Sequence, residues 1–180
     1  MQRTDFELDF LEAFRDSTIL NYVVPGLESI SLGRSNGFHV RMFHMTTHQM
    51  MHITPHSHRF NLLSFVLEGQ VEHHIYNKEG DRYETPSATY KLAILSQKGK
   101  LGEYETEIYS NGVFARYEAV YKTGGSYFLN ADEYHSVIFS EGTKVLVIEG
   151  PEVNEPKVLM PLVKDTVCST LFTADWMFKK

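Results

Sequence analysis

The chain has 180 residues, of which 42% are hydrophobic, 13% aromatic and 22% charged, and its formal net charge is −6. This length corresponds to one domain, and the aromatic content excludes a disordered chain. A single cysteine excludes a disulfide scaffold. Lysine and arginine are scattered, so we expect no nucleic-acid partner. No apolar run approaches the about 20 residues of a membrane span, so we expect no membrane association and a cytoplasmic protein.

Residues 4–16 carry the pattern of an amphipathic helix. Thr4 and Glu7 form a capping-box pattern, and Phe6, Phe10 and Phe14 recur at helical spacing. We therefore predict a short N-terminal helix that packs on a sheet, within a lead-in of residues 1–37.

After Pro25-Gly26 the sequence predicts short β-strands separated by turn residues. Val, Ile, Tyr, Phe and Thr dominate these runs. Asn111-Gly112, between two alternating runs, predicts a hairpin turn. A spacing of about 8–12 residues between strands is typical of an antiparallel sandwich or barrel. We predict a mainly β single domain over residues 38–150 and a C-terminal tail, 151–180, that packs on it. The predicted strands are 38–46, 60–67, 70–76, 88–95, 103–110, 113–122, 126–129, 135–140 and 143–149.

Histidine is the one residue type in clear excess, since eight of the nine histidines lie between positions 39 and 74. His56 and His58 follow Pro55 at the entry to a predicted strand. Alternate residues of an extended backbone face the same side, so both imidazoles can reach one point. Neutral imidazoles suit iron, zinc, copper, nickel or manganese. The pair therefore predicts a metal site without identifying the metal.

Two motifs, in order, resemble those of the cupins, which are small β-barrels of the jelly-roll type. The first cupin motif reads G-x5-H-x-H-x3/4-E-x6-G, and this chain matches it at His56, His58 and Gly69. The second reads G-D-x4-P-x-G-x2-H, and the chain matches it at Gly125 and His135. The resemblance covers residues 38–150 and implies a single-domain jelly-roll barrel.

The run that follows the histidine pair, together with Trp176-Met177-Phe178 near the C-terminus, looks like a group of uncharacterised bacterial and phage-type cupins. In this chain the glutamate of the first cupin motif falls on Leu62 or Leu63, and neither side chain binds a metal. The resemblance therefore implies a three-histidine metal site.

The implied ligands are His56, His58 and His135, which leave about three positions open on an octahedral ion. Among cupins, three-histidine iron occurs in oxygenases. The resemblance thus implies an iron(II) oxygenase acting on a small organic molecule, with zinc, nickel, manganese or copper as the alternative metals.

Further polar side chains are candidates for the pocket. Ser64 shares the parity of the predicted inward residues, and an inward arginine would bind a carboxylate through two hydrogen bonds. Arg41 and Arg116 are the arginines in question, and an outward orientation is the alternative for each. Strand alternation turns only one of His73 and His74 inward. Whether another histidine joins the metal site is left open, the candidates being His44, His52 and His73.

Two other functions remain beside the oxygenase. One is a non-catalytic cupin with a degenerate metal site that binds a small molecule or a partner. The other is a sugar isomerase or epimerase, which ranks last because that chemistry needs a placed acid and base and the sequence shows no such pair. We also predict a homodimer, because exposed sandwich edges commonly pair and cupins often dimerise.

Overall fold

The computed structural model describes residues 18–49, 52–78, 87–97 and 104–161. Within these ranges the chain forms eleven strands and no helix. The mainly β fold is confirmed, whereas the helix predicted over residues 4–16 lies outside the described residues and has no support from them. No helix in the described part of the chain has the length and hydropathy of a membrane span. The strands are β1 (Thr18–Ile19), β2 (Leu27–Ser35), β3 (Phe38–Met45), β4 (Phe60–Glu68), β5 (Gln70–Lys78), β6 (Ser87–Gln97), β7 (Tyr104–Lys122), β8 (Ser126–Leu129), β9 (Tyr134–Phe139), β10 (Lys144–Glu152) and β11 (Lys157–Pro161).

The strands form two antiparallel sheets that nearly close into a barrel. The first sheet has six strands in the order β1-β2-β3-β10-β4-β8, and the second has five in the order β11-β6-β7-β5-β9. His56, which lies outside the strands, forms one bridge to His135 of β9 and another to Val158 of β11. The segment that carries the predicted histidine pair is therefore held between the two edge strands of the second sheet.

The main core lies between the two sheets. Strand alternation builds it, since every second residue of a strand faces the opposite sheet. On β10, for example, Val145 and Val147 are buried while their neighbours are half-buried. The buried members from the two sheets and the loops are Val24, Leu27, Met45, Ile53, Leu62, Val66, Val71, Tyr127, Leu129, Val137, Phe139, Val145 and Val147.

The hairpin predicted at Asn111-Gly112 is wrong. Both residues are paired within one continuous strand, β7, with Asn111 opposite Lys91 and Gly112 opposite Tyr90. A Cβ atom at Gly112 would lie 2.9 Å from the ring of Phe114. The glycine is thus explained by the close approach of a buried aromatic ring, and not by a turn.

The connection between β4 and β5 carries the chain from one sheet to the other at Gly69. Its φ of 79° lies in the left-handed region, and an added Cβ would sit 2.5 Å from Thr143 Oγ1. That hydroxyl accepts a hydrogen bond from the Gln70 N–H at 3.1 Å and donates one to the Gln70 carbonyl at 3.0 Å. The tight connection sets β4 and β5 on facing sheets, with the histidine-lined space between them.

Candidate metal centre

Three histidines from two segments come together where the segment of His56 pairs with β9. His56 and His135 lie opposite each other and exchange two backbone hydrogen bonds, of 2.9 and 3.0 Å. His58 is two residues beyond His56 and directs its ring to the same side. The ring centroids are 4.8 Å apart for His56 and His58, 4.8 Å for His56 and His135, and 4.9 Å for His58 and His135. The predicted trio thus forms an almost equilateral triangle of imidazoles.

This triangle has the size of a metal-bound one. With metal–nitrogen bonds of about 2.0–2.1 Å, each ring centroid lies about 3.2 Å from the ion, so centroids of neighbouring ligands are about 4.5 Å apart at 90° and about 5.2 Å at the tetrahedral angle. All three observed separations fall between these limits. The Nε2 atoms of His58 and His135 are 2.7 Å apart, within about 0.3 Å of the spacing of adjacent octahedral ligands. The three side chains could therefore hold one divalent ion on a common face.

The three rings are also in the protonation state that a metal requires. His56 Nδ1 lies 2.8 Å from the Thr54 carbonyl oxygen, so Nδ1 donates a proton to it and Nε2 keeps its lone pair. Burial is the largest cause lowering the pKa of each ring, and for His58 and His135 the pKa lies well below its usual value. The imidazoles are therefore neutral near pH 7, with lone pairs available for coordination.

A fourth histidine, His73, supports His135 from behind. Its Nε2 lies 2.6 Å from His135 Nδ1, and the residue is 1% exposed. When His135 Nε2 binds a metal, its Nδ1 must carry the proton and donate it to His73. Strand alternation had left either His73 or His74 facing inward, and the fold turns His73 inward. It contacts a candidate ligand and is not part of the triangle.

The triangle opens onto a cavity of about 580 Å³ between the sheets. Arg41 and Ser64 line it, as the sequence had suggested for pocket residues. The other sequence candidate, Arg116, is exposed and lies 3.0 Å from a carboxylate oxygen of Glu118, outside this cavity. Burial raises the pKa of Tyr127, which also lines the cavity, to about 12, and the neighbouring Ser64 hydroxyl opposes that rise.

The inward Arg41 has protein partners. Its Nη1 donates to Glu149 Oε1 at 3.1 Å and to the Tyr22 hydroxyl at 3.2 Å, while Nε and Nη2 both donate to Ser29 Oγ. Burial lowers the pKa of Arg41, but Tyr22 and Glu149 outweigh that effect and leave the pKa above its usual value. The positive charge is thus neutralised within the cavity wall by a carboxylate of the chain itself.

Glu149 and its second partner, His39, are functional candidates that sequence reasoning missed. His39 Nδ1 lies 2.9 Å from Glu149 Oε2, and both residues line the cavity. A signal existed, because Glu149 continues the inward phase of Val145 and Val147 on an apolar strand. A charge in that position needs a buried partner. His39 and Arg41 are such partners, because they are alternate residues of β3 and face the same side as Glu149.

A second group of possible metal ligands lies on the opposite face of the second sheet. His52 and His74 each place Nε2 3.3 Å from Glu72 Oε1, which brings three ligand atoms together. However, the two imidazole rings are stacked, with centroids 3.7 Å apart and planes at 20°. One ion cannot lie in both ring planes at that spacing. The centroid separation is also shorter than the about 4.5–5.2 Å expected for two histidines bound to the same ion. This group does not fit a metal in its present arrangement.

The remaining sequence candidates lie away from the triangle. His44 Nδ1 lies 3.1 Å from a carboxylate oxygen of Glu28 on the adjacent strand. Of the two residues that match the position of the glutamate in the first cupin motif, Leu62 is buried and lines the cavity, while Leu63 is half-buried and does not line it. An apolar side chain therefore stands on the inward side of β4.

Solved structures similar to this chain include proteins named as cupins. An RmlC-like cupin from Shewanella frigidimarina is 16% identical, with a TM-score of 0.44 and coverage of 77% of this chain and 87% of that one. Hydroxypropylphosphonic acid epoxidase from S. wedmorenis is 17% identical, with a TM-score of 0.43 and coverage of 75% and 56%. KdgF from Halomonas sp. is 13% identical, with a TM-score of 0.43 and coverage of 73% and 85%. No protein-family profile and no curated protein sequence matches the chain. Similarity at this level assigns no activity.

Proposed function

We propose that this chain binds one divalent metal ion through His56, His58 and His135 and acts on a small organic molecule held in the adjoining cavity. The observation that carries the proposal is the triangle of three neutral imidazoles, with centroids 4.8–4.9 Å apart, at the wall of a cavity of about 580 Å³. A volume of this size is typical of sites for small ligands.

Iron(II) is the metal that we propose, with an oxygenase as the class of enzyme. The described residues near the triangle offer nitrogen donors and no thiolate, a donor set that iron shares with zinc, nickel, manganese and copper. Bound iron(II) would supply one-electron chemistry with dioxygen at a centre that keeps about three coordination positions open.

The buried charged side chains of the cavity wall, Arg41 and Glu149, are paired with each other. Arg41 is neutralised by Glu149 at 3.1 Å, so it offers no net positive charge to a substrate carboxylate. The polar groups on the cavity wall include the hydroxyls of Ser64 and Tyr127, and aromatic and aliphatic side chains also line it. These groups would bind and orient the substrate, and the apolar wall would exclude water.

The test is the metal content and metal affinity of protein purified without a histidine tag. We expect one ion per chain and a loss of binding of at least 100-fold in His58→Ala, because one of three ligands is removed. The matched control is His48→Ala, since His48 is exposed and lies outside the triangle. Substoichiometric metal that is unchanged in His58→Ala would overturn the proposal.

A second candidate is a non-catalytic cupin that binds a small molecule. The observation that favours it is Leu62, which is 6% exposed and stands where a cupin glutamate would complete the ligand set. If metal-loaded protein consumes no oxygen over a broad substrate panel but shows ligand-dependent shifts in melting temperature, this second function is supported instead. The predicted homodimer is tested separately by solution scattering, where a monomeric mass would contradict it.

A further inference from the structure

Three polar side chains on neighbouring strands form a chain of hydrogen bonds along the cavity wall. Ser31 is on β2, His39 on β3 and Glu149 on β10, and β3 lies between the other two strands. Ser31 Oγ is 2.9 Å from His39 Nε2, and His39 Nδ1 is 2.9 Å from Glu149 Oε2. All three side chains line the cavity.

The direction of these hydrogen bonds follows from the chemistry of the groups. The carboxylate of Glu149 only accepts hydrogen bonds, and its other oxygen accepts one from Arg41 Nη1 at 3.1 Å. His39 Nδ1 must therefore carry the proton. In the neutral ring Nε2 then accepts, so the Ser31 hydroxyl donates to it. This is the arrangement in which a histidine can remove a proton from a serine.

His39 is sheltered, whereas Ser31 can be reached. His39 is 6% exposed and Glu149 is 7% exposed, while Ser31 is half-buried on the cavity wall. Burial is the largest cause lowering the pKa of His39, with Glu149 opposing and Arg34 and Arg41 assisting. Near neutral pH the ring is therefore an unprotonated base.

The backbone of β2 is irregular at this point. Its pairing with β3 shifts register between Ser31 and Gly33, and Leu32 is 48% exposed. Bulges of this kind re-aim side chains and are common beside active sites. Arg34, just beyond the bulge, lines the same cavity and adds a positive charge beside His39.

We infer that Ser31 is a nucleophile activated by His39, with Glu149 orienting the imidazole, and that this chain has an acyl-transfer activity toward small esters. Ser31 Oγ attacks the ester carbonyl carbon and forms the O–C bond, while its proton passes to His39 Nε2. The bond to the alcohol oxygen breaks, and the alcohol leaves with that proton. Water then attacks the acyl-serine, again through His39, and releases the acid and the free hydroxyl.

This activity is independent of the proposed metal function, because none of the three residues belongs to the histidine triangle. Protein treated with a chelator should therefore react as the untreated protein does. A failure of metal binding leaves the inference intact, and a failure of Ser31 to react leaves the metal proposal intact.

The experiment is labelling with a small alkyl fluorophosphonate, followed by intact mass and peptide mapping, with p-nitrophenyl acetate turnover as the second readout. We expect one adduct, on Ser31, that is absent in Ser31→Ala. His39→Gln keeps a polar side chain but removes the base, so we expect labelling to slow by about 10²–10⁴-fold. The matched control is Ser126→Ala, since Ser126 is exposed and outside the cavity. This variant should label at the wild-type rate.

The wild-type protein alone provides a decisive measurement, should a variant fail to fold. Its labelling rate should increase with pH through a pKa below 6.5, because burial lowers the pKa of His39, with Arg34 and Arg41 assisting and Glu149 opposing. No adduct on Ser31 after prolonged exposure to excess reagent, or an adduct confined to another serine, would overturn the inference.

Discussion

Replacing His73 by Phe should weaken metal binding without removing a ligand. Phenylalanine is close in size to histidine, so it can keep the packing of His73 against Tyr127, whose ring centroid is 4.8 Å away. What is lost is the acceptor that lies 2.6 Å from His135 Nδ1. Without it, His135 is no longer held in the tautomer that leaves Nε2 free for a metal.

The expected magnitude follows from what such supporting hydrogen bonds contribute. Loss of a partner that orients a ligating histidine typically costs about 10–100-fold in metal affinity, or about 1.4–2.8 kcal/mol. The unpaired Nδ1–H of His135, which is 5% exposed, carries a desolvation cost of a similar size, about 1–3 kcal/mol. The two estimates agree, so we expect a clear loss of affinity in a folded protein.

The assay is competition with a chromophoric chelator, for Zn²⁺ in air and for Fe²⁺ without oxygen. His73→Gln provides an internal test, because its amide oxygen can accept the same proton and should restore part of the affinity. His74→Gln is the control on the same strand, since His74 faces the opposite side of the sheet. A folded His73→Phe protein whose affinity stays within twofold of the wild type would refute the role of His73.

Three further predictions concern stability, and each is measured by urea unfolding of the metal-free protein. Arg41→Met leaves the buried Glu149 carboxylate without its cation and should lower the free energy of unfolding by about 3–5 kcal/mol. Adding Glu149→Met should recover most of this loss. A double variant that is no more stable than Arg41→Met would contradict the pairing. Gly69→Ala combines a φ of 79° with a clash at 2.5 Å, whereas Gly142→Ala has a φ of 78° and nothing within 4 Å. Gly142→Ala should therefore cost about 1 kcal/mol and Gly69→Ala clearly more; equal losses would show that the clash is absent. Burial lowers the pKa of His73 from 6.5 to about 4. Between these two pH values His73 is mostly protonated in the unfolded chain and mostly neutral in the folded chain. Stability should be constant above pH 6.5 and fall by about 2 kcal/mol at pH 5 from this residue; a flat profile over this interval would count against the buried neutral ring.

The sequence determined the class of fold and the identity of the candidate metal ligands. β-Branched and aromatic runs at regular spacing predicted an antiparallel β domain, because these residues fit a pleated, half-buried surface. The spacing of His56 and His58 placed both rings on one side of an extended segment, and the resemblance to the second cupin motif, which ends in His135, implied the third ring. These are local patterns, which is why they could be read from the chain. Asn111-Gly112 shows the limit of such patterns, since the packing of Phe114 against Gly112 extended the strand through a sequence that favours a turn.

The tertiary structure alone decided which polar side chains meet. Glu149 and His39 are 110 positions apart in sequence, and Ser31 joins them only because β2, β3 and β10 are neighbours in one sheet. Strand register decided that His73 and not His74, and Arg41 and not Arg116, faces the interior of the barrel. A register shift of one residue would exchange the two faces of a strand. Register is set by the pairing of distant strands, so it cannot be predicted from short-range sequence patterns. The local pattern and the motif resemblance therefore predicted the candidate metal ligands, and the pairing of distant strands decided what surrounds them.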